Sequence, residues 1–273
     1  MSTPTTKPKR GLLDGLDTLI NNALPAPKGY ASKTTALELN RREQPFPDLT
    51  TLVESLWRQI VVNWVEGGCQ SRGESNWRWK LLTEKGESEG QAEVGLQRRI
   101  ARFIESEGQG KHWSNETPTG SGLSEGASGD PGGLDFAHSD GDGGVVLIEL
   151  KVGSNTPISA AFQIVQYGLM LTMARLVDKQ NRIISEDIEN NGDVWRNAKH
   201  AHLRVLAPAS FYSRFLGLQW FEERLDAAVG DFGDVHALPM TFGFREFDPA
   251  NLEPTKVSEL VERLGEKGKI PWK

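Results

Sequence analysis

Apolar residues along this chain recur with two periods, and the switches between them outline its elements. Leu12, Leu13, Leu16, Leu19 and Ile20 fall at helical spacing within a first thirty residues otherwise rich in Thr, Pro, Lys and Asn. That predicts a short amphipathic helix in a loosely packed arm. A second helical pattern covers about 48–66, where Leu52, Val53, Leu56, Ile60 and Val61 follow Asp48 and Thr50, two candidate caps. The stretch 67–73 breaks that pattern, and Trp77-Arg78-Trp79-Lys80-Leu81-Leu82 leads into a Glu/Gly/Ser-rich linker.

Beyond the linker the pattern becomes more regular. Residues 90–106 read as an amphipathic helix with Leu96, Ile100, Phe103 and Ile104 on one face. A short strand is expected over 111–116, then a Gly/Ser/Pro-rich loop over 117–133. Leu134-Asp135-Phe136-Ala137 and the run 145–152 flank Asp140-Gly141-Asp142-Gly143-Gly144, a hairpin signal. A helix over about 159–177, a strand over 202–207, a helix near 211–228 and a strand over 236–247 come next. The last twenty residues read as a polar helix and tail. Local antiparallel pairing combined with a helical crossover predicts an α/β fold, a central mixed β-sheet flanked by helices.

Composition narrows this picture only a little. A chain of 273 residues with 37% apolar and 25% charged positions can bury a substantial core. Cys69 is the only cysteine, so no intrachain disulfide can form. No apolar run approaches the roughly eighteen residues of a membrane span, and no apolar stretch follows the basic residues of the N-terminus as a secretory signal would require. A cytoplasmic protein with no membrane partner is the resulting expectation. A net charge of −6 argues against a protein that coats nucleic acid nonspecifically. It leaves room for an enzyme with a local basic surface, and it also simply keeps a domain of this size soluble.

The run 145–152 carries the chemistry. Val145-Val146-Leu147-Ile148 is the continuous apolar stretch of a buried strand, and it is interrupted at Glu149 and again at Lys151, two residues apart. With a side-chain period of two, both leave the same face of the strand. A buried charge is costly unless paired, and Glu149, Lys151 and Asp135 of the neighbouring strand can compensate one another. Two carboxylates can hold Mg²⁺ or Mn²⁺ beside a phosphate. A nearby lysine can orient or deprotonate the attacking water, or stabilise charge on the phosphate.

Gly133-Leu134-Asp135, the hairpin turn and Ile148-Glu149-Leu150-Lys151 resemble the Asp…Glu-x-Lys signature of the PD-(D/E)XK nuclease superfamily, with Leu134 where the family often has Pro. Gln163 and Tyr167, one helical turn apart, resemble its Gln-x-x-x-Tyr arrangement. Glu93 resembles its additional acidic residue, although a first-turn acid is favoured there by the helix dipole in any case; Glu89 is a weaker match. The resemblance covers roughly 89–210. It implies a restriction-endonuclease-like core (αβββαβ) over 89–248, a mainly helical N-terminal extension over 1–88, and a C-terminal helix or tail over 249–273. It also implies Asp135, Glu149, Lys151 and Gln163 as catalytic residues, with Asp135, Glu149 and Glu93 holding Mg²⁺ or Mn²⁺. The substrate implied is nucleic acid, DNA ahead of RNA, in restriction, antiphage defence or repair. A homodimer or a partner protein could join through the N-terminal region, with the apolar helix over 48–66 as the interface. The alternative is a non-cleaving nucleic-acid-binding or assembly subunit that retains the fold.

Other patterns are weaker. Gly122-Leu123-Ser124-Glu125-Gly126 matches G-x-S-x-G but lacks the apolar strand and following helix of a nucleophile elbow. Gly108-Gln109-Gly110-Lys111 lacks the spacing of a P-loop. His200 and His202 alternate toward a strand without zinc spacing to Cys69, and read as structural or exposed. Trp77, Arg78, Trp79 and Lys80, with Arg98, Arg99 and Arg102, could contact a nucleic-acid backbone, but such tryptophans more often belong to a core.

Overall fold

In the computed structural model, which describes residues 11–24, 28–33, 48–67, 76–83, 92–120, 133–153, 155–181, 183–186, 191–215 and 217–247, the two N-terminal patterns form α1 (Leu16–Ala23) and α2 (Leu49–Glu66). Asp48 caps α2, its carboxylate accepting from Thr50 N at 3.0 Å and from Thr51 Oγ1 at 2.5 Å. Leu52, Val53, Leu56, Trp57, Ile60 and Trp64 form its buried stripe. Buried Asn63 donates to the carbonyls of Leu12 and Asp14 at 2.9 and 2.8 Å, tying down the chain ahead of α1. Leu12, Leu16, Ile20 and Leu24 are all buried in the main core. The stretch expected to be a loose arm is therefore packed over 12–24. Residues 1–10 lie outside the described residues, as do Cys69, Glu89, the G-x-S-x-G run and the expected C-terminal helix and tail.

The remaining elements are α3 (Ala92–Ser106), a 3₁₀ turn (Gly110–His112), β1 (Trp113–Pro118), β2 (Gly133–Ser139), β3 (Val145–Leu150), α4 (Pro157–Asn181), α5 (Asp193–Arg196), β4 (Ala201–Pro208), α6 (Ala209–Tyr212), α7 (Leu218–Val235) and β5 (Met240–Phe247). Five strands form one mixed sheet in the order β1-β2-β3-β4-β5. β1, β2 and β3 pair antiparallel, whereas β3–β4 and β4–β5 are parallel. The two parallel connections pass through α4 and through α6 and α7, as a crossover requires.

Strand β3 is buried on both sides, which explains its unbroken apolar run. Val145 and Leu147 belong to the large core shared with α1, α2, α4 and α7. Val146, Ile148 and Leu150 join a smaller core under α3, with Leu96, Ile100, Ala101 and Ile104. The larger core runs without division from Leu12 to Phe244. Helix α4 is long and apolar enough to cross a bilayer, with a mean hydropathy of 1.2 over its most apolar window, but 78% of that window is buried here inside the fold. Its lack of a polar face follows from that burial.

Several boundaries differ from the sequence reading. The strand expected over 111–116 begins at Trp113 and runs to Pro118. The helix expected near 211–228 is two, with Gly217 between them in the left-handed region (φ 83°). Helix α7 then continues through Gly230 and Gly233 to Val235, displacing the start of the last strand from 236 to Met240. Gly233 does not end the helix, because it is needed for close approach. A Cβ there would lie 2.5 Å from Leu238 O and 2.7 Å from Met240 N. Trp77 and Trp79 are buried against Trp195, with ring centroids 5.3 and 4.9 Å apart. These rings belong to the core, out of reach of a nucleic acid.

Candidate active site

The charged residues singled out from the sequence meet where β3 ends. Glu149 is the last polar position of β3, and Lys151 follows it after the strand's final residue. Two-residue alternation puts both on the face of Val145 and Leu147, under α4. Leu150 N is held by the Asp135 carboxylate at 2.8 Å, and Lys151 N by Leu206 O at 2.9 Å, so both flanks of this strand end are fixed. The β2–β3 register pairs Phe136 with Ile148 and Ala137 with Leu147. Continued by one position, it sets Asp135 opposite Glu149.

The side chains converge closely. Lys151 Nζ lies 2.6 Å from Glu149 Oε1 and 3.2 Å from Glu93 Oε1, which reaches in from the first turn of α3. Glu149 is 1% exposed and Lys151 is 4% exposed. The second carboxylate oxygen of Glu149 is buried and accepts no hydrogen bond from the protein. Such an atom needs a proton, a water or a cation to offset its desolvation.

Electrostatics follow from this crowding. Burial raises Glu149 well above the usual carboxylate range, and the Asp135 charge adds to it, against the pull of Lys151. Asp135 is pushed up to about 6, chiefly by burial, with Lys151 and the Leu150 N–H opposing. Burial disfavours the Lys151 ammonium, but Glu149, Asp135 and Glu93 together outweigh it and hold its pKa above the ordinary lysine value. The cluster is thus three carboxyl groups around one lysine whose ammonium form they favour.

Tyr167 and Gln163 border this cluster from α4. The Tyr167 hydroxyl donates to Gly133 O at 3.1 Å, fixing the start of β2 two residues before Asp135. Gln163 hydrogen-bonds to the same phenol, whose pKa burial and then the Glu149 charge drive upward. The structure therefore brings together Glu93, Asp135, Glu149, Lys151, Gln163 and Tyr167. Arg99 and Arg102 are exposed on α3.

Two contributors were missed by reading the sequence. Gln97 donates to Asp135 O at 2.9 Å, holding the backbone of β2 from α3. Glu116 on β1 adds negative potential at Asp135. The β1–β2 register, which pairs Asn115 with Phe136 and Thr117 with Leu134, sets Glu116 opposite Asp135. Its φ of 44° is unusual for glutamate within a strand. Only the β1–β2 register could have revealed it.

Family models, curated proteins and solved structures contain no match to this chain.

Proposed function

We propose that this chain is a metal-dependent nuclease of the PD-(D/E)XK type, hydrolysing phosphodiester bonds, with DNA the expected substrate. The observation that carries the reading is the buried Glu149 carboxylate, one oxygen on Lys151 and the other without a protein partner, facing Asp135. The element order α3-β1-β2-β3-α4-β4, with the short α5 ahead of β4, supports this reading.

Asp135 and Glu149 would hold Mg²⁺ or Mn²⁺, with Glu93 as a further acidic group. The donor set fits, because hard carboxylate oxygens suit these ions. When bound, the ion polarises the phosphoryl oxygen and acidifies a coordinated water. Lys151 is an ammonium in this cluster, which suits orienting the water and stabilising charge on the phosphate better than removing a proton. Gln163 acts through Tyr167 and Gly133 to position β2. Gln97 does the same from the other side of the sheet.

The test is cleavage of plasmid, linear duplex, single-stranded DNA and RNA, with Mg²⁺, with Mn²⁺ and with chelator. Cleavage should require the divalent ion and fall at least about a hundredfold in Glu149→Gln and Lys151→Ala. Turnover unaffected by either substitution would sink the assignment. Calorimetric Mg²⁺ binding that Glu149→Gln removes, without cleavage of any substrate, is the outcome required by a non-cleaving subunit that retains the site.

A further inference from the structure

At the opposite end of β3, a second polar cluster has donors of a different chemical kind. Asp140 ends the β2 side of the hairpin turn, while His200 and His202 flank Ala201, the first residue of β4. His200 Nε2 lies 2.5 Å from Asp140 Oδ2, and His202 Nε2 lies 3.8 Å from the same oxygen. One donor atom from each residue falls within 4.8 Å of the other two. Glu149 is four residues along β3 from Val145, so about 13 Å of strand separates this cluster from the carboxylate–lysine site.

The cluster is held as a preformed site would be. Asp140 Oδ1 is occupied by the N–H groups of Asp142 and Gly144 at 2.9 and 2.7 Å, which leaves Oδ2 turned to the histidines. His202 Nδ1 is 2.7 Å from Thr241 Oγ1 on β5. That hydroxyl also accepts from Arg204 Nη2 at 2.9 Å, and with Nδ1 donating to its second lone pair, Nε2 is the ring nitrogen turned toward Asp140. Backbone bonds from Lys199 N to Gly143 O and from Val145 N to His200 O join the two segments. Gly144 lies beneath the cluster. A Cβ there would fall 2.0 Å from His200 Nε2 and 2.3 Å from Asp140 Oδ2, so any side chain would fill the cradle.

We infer that Asp140, His200 and His202 form a transition-metal site, best matched by Zn²⁺, independent of the carboxylate–lysine cluster. Two imidazoles and one carboxylate suit zinc and its neighbours and not Mg²⁺. Tetrahedral zinc at its usual bond lengths separates its ligand atoms by about 3.3 Å. The His200–Asp140 pair has to open by less than about 1 Å and the His202–Asp140 pair to close by about half that. The His200 side chain is 29% exposed, so solvent reaches the cluster. A metal there would clamp the β2–β3 turn to the start of β4, and by binding the folded state it would stabilise that state.

The experiment uses the full chain, free of any affinity tag and stripped with chelator. Zn²⁺ is titrated calorimetrically, and Co²⁺ is followed by its visible absorption. One equivalent should bind to the wild type and to Asp135→Asn alike, with a tetrahedral Co²⁺ band. His202→Ala and Gly144→Ala should each weaken binding at least about tenfold, with the fold checked by far-UV circular dichroism. Zinc should also raise the thermal midpoint of wild type and not of His202→Ala. Undiminished zinc binding in His202→Ala overturns the proposal, as does loss of binding in Asp135→Asn or no binding at all. Those results would leave the cluster as a hydrogen-bonded Asp–His pair.

Discussion

Asp135 shows how a single buried carboxyl group can work against the stability of the fold. Its folded-state pKa of about 6 exceeds the unfolded value of roughly 4. Between these limits the folded state binds more protons than the unfolded one, so this group's stabilisation is complete below pH ~4 and is lost as pH rises toward ~6. His138 works oppositely. Burial, and then His112, hold it down to about 4, so its contribution is lost as pH falls from ~6.5. Comparison with Asp135→Asn isolates the carboxylate, since an amide oxygen can still accept from Leu150 N. In urea titrations with chelator present, the variant should gain on wild type from pH 4 to 6, by about 1–3 kcal/mol, and hold that advantage above. A difference that is flat across this range would refute the raised pKa. Mg²⁺ binding should fall in the same variant.

Among the elements, the outer strands show why a strand reading is incomplete without its neighbours. β5 is the outermost strand on one side, and its outward N–H groups at Phe242 and Phe244 are taken by Asp226 and Glu222 of α7, at 2.7 and 3.0 Å. On the other side the 76–82 segment lies against β1. Trp77 N donates to Pro118 O at 2.7 Å, and Leu82 N donates to the Asn115 side chain at 2.6 Å. Groups outside the sheet thus cover part of each edge, which reduces the template for pairing with another chain. Glu222→Ala would leave the Phe244 N–H without its acceptor and should cost about 1–3 kcal/mol in denaturant unfolding. Asp231→Ala, an exposed position of the same helix, should stay within about 0.5 kcal/mol of wild type. Equal effects from the two would show that α7 does not cap β5 in this way.

Across the whole molecule, the N-terminal helices share their core with the sheet. Leu16, Ile20, Leu56, Trp57 and Ile60 belong to the same buried cluster as Leu147, Phe221 and Phe244, and Trp57 meets Phe232 edge-on at 5.3 Å. Removing residues 1–66 would expose the apolar faces of α4 and α7 to water. The truncated chain should lose cooperative unfolding and bind a hydrophobic dye, even though every residue of the candidate active site is retained. A soluble truncation that unfolds cooperatively would show that the sheet and its remaining helices suffice.

Periodicity and local order were enough to read much of this protein. The capped α2, the amphipathic α3, the hairpin and the run ending in Glu149 and Lys151 were legible because each depends on residues close in sequence, and alternation put those two charges on one face. Gln163 and Tyr167 were singled out by the resemblance to a Gln-x-x-x-Tyr arrangement, and the helical turn between them puts both on one face. The tertiary structure decided what depends on register and on contacts between distant segments. It set Glu116 opposite Asp135, brought Gln97 to the β2 backbone, and joined Asp140 to two histidines sixty residues away. It kept α7 helical through Gly233, where steric room and not backbone propensity governs the residue. Local free energies are written in local sequence, whereas the long-range pairings are selected only when the whole core closes around them.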